Sequence, residues 1–94
     1  MPRRSLEERP SRVVRQSQQF TRAAHQLGRR IRELREKRSW TLEAAAERMQ
    51  LDLKHLQKIE AGSLNVTLVT LVRIAKGLDE SIQSLFASTG AGKK

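Results

Sequence analysis

Between Trp40 and Gly62 the chain reads WTLEAAAERMQLDLKHLQKIEAG, a stretch with room for two short helices and almost nothing between them. Thr41 opens the first: its hydroxyl can accept from a free backbone N–H of the first turn, and Ala45, Ala46 and Met49 then fall on one apolar face. Asp52 opens the second in the same way, with Leu53, Leu56 and Ile59 recurring at every third position. Gly62 stands where a helix stop often needs left-handed backbone. Only Gln50 and Leu51 are left to join the two helices. They must therefore cross steeply instead of packing as a long antiparallel pair.

The same pattern continues on both sides. Phe20, Ala24, Leu27, Ile31 and Leu34 keep helical spacing, which predicts a first helix over about 18–37, with Arg22, Arg29, Arg30, Arg32 and Arg35 around it. Ser39 and Trp40 turn the corner into the next helix, Trp40 as a packing anchor. After Gly62 a loop runs to Val66, and Thr67 caps a fourth helix with Leu68, Leu71, Val72, Ile74 and Ala75 on its apolar side, ending at Leu78 and Asp79. Ser81 caps a short fifth helix whose apolar side is Ile82, Leu85 and Phe86. Residues 1–17 hold both prolines, several arginines and few apolar groups, and read as a basic, disordered arm; residues 88–94, STGAGKK, read as a flexible tail. Residues 18–87 are left as one all-α domain.

These elements, with LGRRIRELREKRSWT in the first helix, the IEAG ending of the third and NVTLVTLVRIAKGLDESIQSLF beyond it, resemble the Cro/C1-type (XRE) helix-turn-helix family of transcription regulators. The resemblance runs from about Leu27 to Phe86. It implies a compact five-helix, lambda-repressor-like DNA-binding domain that acts as a homodimer on double-stranded DNA and reads the major groove with its third helix. Carried over residue by residue, the DNA-contacting positions are Leu53, Lys54 and Lys58, with His55 and Gln57 beside them and Thr41 and Leu42 at the start of the second helix. The resemblance also implies a buried ion pair between Arg35 and Glu60, joining the first helix to the end of the third.

Three contact positions depart from the family pattern. Leu42 stands where a phosphate-gripping glutamine is usual, Leu53 at the first base-reading position, and Ala61 in place of a polar or basic phosphate contact. Lysine can donate to guanine O6 and N7, whereas leucine can touch only a thymine methyl. Either the site is read through shape and methyl contacts, or the face of Leu42, Leu53 and Ala61 docks a protein, such as a toxin, another regulator or polymerase.

Charge is distributed unevenly. The formal net charge is +9, and residues 1–38 carry twelve arginines and lysines against Glu7, Glu8, Glu33 and Glu36. Lys54 and Lys58 are offset locally by Asp52 and Glu60. Phosphate attraction is therefore expected from the arm and from the first helix, including Arg29 and Arg30. Arg3, Arg4, Arg9, Arg12 and Arg15 suit a minor groove or a phosphate track.

Other functional classes find little in the chain. With no cysteine there is no disulfide, thiolate metal site or cysteine nucleophile, which suits a cytoplasmic protein. No glycine-rich phosphate loop, paired-histidine metal spacing or nucleophile elbow is present, so neither an enzyme nor a cofactor is expected. Three aromatic residues are too few to stack the bases of a single strand. No apolar run approaches the roughly 20 residues that span a membrane, and the amino terminus lacks the apolar segment of a signal peptide. Dimer contacts are expected from the last helices, with Val69, Val72, Ile82 and Phe86 as candidates; the same side chains would equally serve to complete the core.

Overall fold

A computed structural model describes residues 17–87 of the chain. They form five helices: α1 (Gln18–Lys37), α2 (Leu42–Met49), α3 (Leu53–Glu60), α4 (Leu68–Leu78) and α5 (Ile82–Leu85). Each starts at a hydroxyl or carboxylate cap. Ser17 accepts from Phe20 N at 3.1 Å, Thr41 from Ala44 N at 3.1 Å, Asp52 from Lys54 N at 3.1 Å, Thr67 from Thr70 N at 3.2 Å and Ser81 from Ser84 N at 3.1 Å. Ser17, placed in the arm by composition, is thus the cap of α1. The remainder of the arm and the tail lie outside the described residues.

The helices α1 to α4 end alike. Trp40 N donates to Arg35 O, Leu51 N to Ala46 O, Ser63 N to Lys58 O and Glu80 N to Ala75 O, so each last turn is closed by a bond spanning five residues. The residue at each reversal is left-handed: Ser39 at φ 59°, Gln50 at 58°, Gly62 at 76° and Asp79 at 59°. Only one of these is the glycine that such backbone favours. The Gln50 reversal is what fits the α2–α3 connection into three residues.

The five helices pack around one core. α1 lies against α3 and α5, α2 against α3 and α4, and α4 against α5. Leu27, Ile31 and Leu34 of α1 meet Ala45, Ala46 and Met49 of α2, Leu56 and Ile59 of α3, Ile74, Ala75 and Leu78 of α4 and Leu85 of α5. Fully burying a Leu or Ile is worth about 1.5–3 kcal/mol, so this cluster is the main support of the fold. α1 and α3 approach so closely that Gly28 faces the carbonyls of Ile59 and Glu60 with no space for a Cβ.

Several side chains that periodicity places on the apolar sides of α4 and α5 lie outside the core. Leu68 is 67% exposed, Val72 39% and Phe86 43%. Among the described residues, no element covers them. Trp40 is half-buried, with the Arg48 guanidinium 4.4 Å from its ring centroid and that of Arg38 at 5.8 Å; both distances fall in cation–π range. Among the described residues, no helix is long and apolar enough to cross a membrane.

Candidate nucleic-acid interface

The α2–α3 unit is held from two directions. Leu56 and Ile59 anchor α3 in the core, and Arg35 of α1 binds its last residue. Arg35 Nε and Nη2 donate to the Glu60 carboxylate at 2.7 and 3.0 Å, and Arg35 Nη1 donates to Trp40 O at 2.9 Å. The hydrogen bonds to Glu60 raise the Arg35 pKa above its ordinary value, and burial only partly opposes them. The guanidinium therefore stays charged, and a bidentate pair fixes both distance and orientation between α1 and α3.

With one side of α3 buried, the opposite side is defined. Lys54, Gln57, Lys58 and Ala61 follow one another at helical spacing, and all four are exposed. The side chains of Lys54, Gln57 and Lys58 make no hydrogen bond or ion pair among the described residues. Three amide and ammonium donor groups are thus available along about two turns of helix. Leu53 and His55 are half-buried at the edge of this stripe.

A hollow of about 340 Å³ adjoins the stripe, lined by Arg32, Arg35, Leu42, Gln57, Glu60 and Ala61. It brings the start of α2 and the end of α3 beside α1, and adds Arg32, which the sequence did not single out. The signal for it was its place three residues before Arg35, on the same side of α1. Arg32 is exposed and paired with Glu36 at 3.0 Å, an exposed contact of little energetic weight.

The remaining expected residues are placed less uniformly. Thr41 is exposed and its hydroxyl is engaged as the α2 cap. Leu42 is half-buried and packs on the core, so the Leu42, Leu53 and Ala61 face has Ala61 as its one fully exposed member. Leu53 does not line the hollow that Leu42 and Ala61 share. Arg29 is exposed. Arg30 is half-buried: its Nε donates to Ser84 O at 2.9 Å and its Nη2 to Ser84 Oγ at 3.3 Å, which ties α1 to α5, and its Nη1 lies 3.7 Å from the Glu33 carboxylate.

Comparison with known proteins agrees with this fold. A family model described as a helix-turn-helix domain matches residues 26–84. No curated protein matches the chain. Among solved structures, the chain is similar to the restriction-modification controller protein C.AhdI from Aeromonas hydrophila, with 33% identity, 67% of this chain and 96% of that one covered, and a TM-score of 0.65. It is also similar to an HTH_3 family transcriptional regulator from Vibrio cholerae, with 30% identity, 71% of this chain covered and a TM-score of 0.68; this chain spans 38% of that protein. The chain belongs to the Cro/C1-type (XRE) helix-turn-helix family, whose fold is that of DNA-binding transcription regulators.

Proposed function

We propose that this protein is a sequence-specific, double-stranded-DNA-binding transcriptional regulator that acts as a cytoplasmic dimer and inserts α3 into the major groove. The observation that carries the reading is the exposed stripe of Lys54, Gln57, Lys58 and Ala61 on a helix whose other side is locked into the core. Lysine and glutamine donors reach guanine and adenine edges, and the Ala61 methyl suits a thymine methyl. Arg29, Arg32 and the arginines of residues 1–16 supply the phosphate attraction that the nearly neutral α3 lacks.

The dimer contact is assigned to the hollow beside Phe86. It is lined by uncharged residues, among them Phe20, Leu64, Val66, Leu71 and Phe86. A two-fold contact there sets apolar groups against apolar groups with no charge opposed. Ile82, another sequence candidate for this contact, is half-buried and packs on the core.

Selection from random duplex DNA at near-physiological salt, followed by titration of the best site, tests the reading. The expected result is an enriched two-fold motif with half-sites about one helical turn, ~34 Å, apart. Recovery of no motif, with binding that vanishes as salt rises, would leave nonspecific electrostatics alone and sink it.

A further inference from the structure

An open groove of about 560 Å³ runs between the end of α2 and the exposed side of α4. Its floor is apolar: Met49 lies at the bottom, and Leu68, Val69 and Val72 project from α4 with 67%, 63% and 39% exposure. Its rim is basic, formed by Arg48, Arg73 and Lys76, and no carboxylate lines it. Among the described residues, Arg73 and Lys76 make no side-chain hydrogen bond or ion pair, and Arg48 is engaged only with the face of Trp40. No residue of α3 takes part, so the groove is separate from the DNA-reading stripe.

We propose that this groove docks an amphipathic helix of a second protein, one that carries aliphatic side chains on one side and several carboxylates beside them. From Leu68 to Lys76 the stripe extends eight residues, about 12 Å, enough for roughly two turns of a partner helix. Aliphatic side chains fill the floor, and carboxylates meet the guanidinium and ammonium groups of the rim.

Charge separates this occupant from the others. A second copy docked about a two-fold axis would set Arg48, Arg73 and Lys76 against the same three cations, a like-charge contact that disfavours association. The chain's own residues 1–16 hold Arg3, Arg4, Arg9, Arg12 and Arg15 against Glu7 and Glu8 and are basic as well. A nucleic-acid backbone would satisfy the rim and leave the aliphatic floor uncovered. An acidic amphipathic helix satisfies both.

The test uses the full chain and three synthetic 16-residue peptides with the same leucine stripe at helical spacing and a polar face of Glu, Gln or Lys. Binding is followed by fluorescence anisotropy at near-physiological salt. The Glu peptide is expected to bind saturably and the Lys peptide about tenfold more weakly. The double substitution Arg73→Glu with Lys76→Glu, at exposed positions, is expected to reverse that order while leaving the melting temperature and DNA affinity unchanged. Val69→Asp is expected to abolish binding of the Glu peptide. Equal affinity for the Glu and Lys peptides, or no saturable binding of either, overturns the proposal. So does a Val69→Asp variant that turns a dimer into a monomer in sedimentation, which would assign the groove to a second copy. Because the readout needs no DNA, its failure is distinct from failure of the DNA-binding reading.

Discussion

Arg35 and Glu60, 25 residues apart in the chain, meet through two parallel hydrogen bonds of 2.7 and 3.0 Å, with only 11% and 8% of their side chains exposed. The pair sets the position of α3 on α1, and removing one partner leaves the other buried and uncompensated. Arg35→Ala is expected to cost about 3–5 kcal/mol. Replacing both residues with aliphatic side chains of similar size is expected to recover much of the loss. Urea denaturation of the single and double variants measures both; an unchanged midpoint for Arg35→Ala would remove the pair from the account of stability.

Gly28 makes the same α1–α3 contact possible through the absence of a side chain. A Cβ there would lie 2.6 Å from the Ile59 carbonyl oxygen and closer still to that of Glu60. In an open helix, Gly→Ala stabilises by about 1 kcal/mol; here the crowded atoms are backbone, and overpacking costs about 1–3 kcal/mol. Gly28→Ala is therefore expected to lower stability, whereas Ala23→Gly, at an exposed position on the same helix, should cost only the ordinary propensity difference. A Gly28→Ala variant that melts higher than wild type would contradict the close approach.

Gln50 adopts left-handed backbone with φ 58°, a conformation that costs a non-glycine residue about 1 kcal/mol. Its amide and that of Leu51 close the end of α2. Gln50→Gly keeps those bonds and relieves the strain, and should raise stability by up to about 1 kcal/mol, less the entropy glycine loses on folding. Thermal melts decide the sign, and a clear loss would argue that the Gln50 side chain contributes in its own right.

Glu80 accepts from Ser84 Oγ at 2.7 Å and from Arg38 at 3.1 Å. The Ser84 hydroxyl first, and then the Arg38 guanidinium, hold its carboxyl below the ordinary value. A carboxyl lowered by folding stabilises the protein above its unfolded value of about 4.3, and the contribution is lost as pH falls through the folded value. Wild type should thus exceed Glu80→Gln in stability at about pH 6, with the gap closing as pH falls below the unfolded value. A gap independent of pH would mean that the carboxylate charge is not what matters.

The surface roles of the basic residues separate by where their donors go. Lys54→Ala and Lys58→Ala should each weaken specific DNA binding by about 1–3 kcal/mol without unfolding the domain. Arg29→Ala should lower the salt-dependence slope by about 0.9 if it meets one phosphate. Arg30→Ala should lower the melting temperature, because it removes the Ser84 contacts, and leave the affinity of the folded protein unchanged. DNA affinity lost with Arg30→Ala at unaltered stability would reverse this assignment.

Thr41, Asp52, Thr67 and Ser81 each cap the helix expected of them, because a cap is a bond between residues two or three apart and the composition of a single turn decides it. Leu27, Ile31, Leu56 and Ile59 were equally legible, since helical spacing states which side of a helix is apolar. Spacing does not state what covers that side. Leu68, Val72 and Phe86 share the apolar pattern of the buried residues, yet they stand exposed because no helix among the described residues packs over them.

The amino-acid sequence by itself determined the five helices and their starts, both of which follow from contacts within a turn or two. Tertiary structure alone decided that Arg30 faces Ser84 and Arg32 faces the α3 hollow, and that α2 and α4 leave a basic-rimmed groove. These outcomes depend on how far each helix is rotated about its axis when the core closes. That rotation is set jointly by side chains from every helix, with Gly28 under the Glu60 carbonyl and Arg35 on its carboxylate fixing it for α1 and α3.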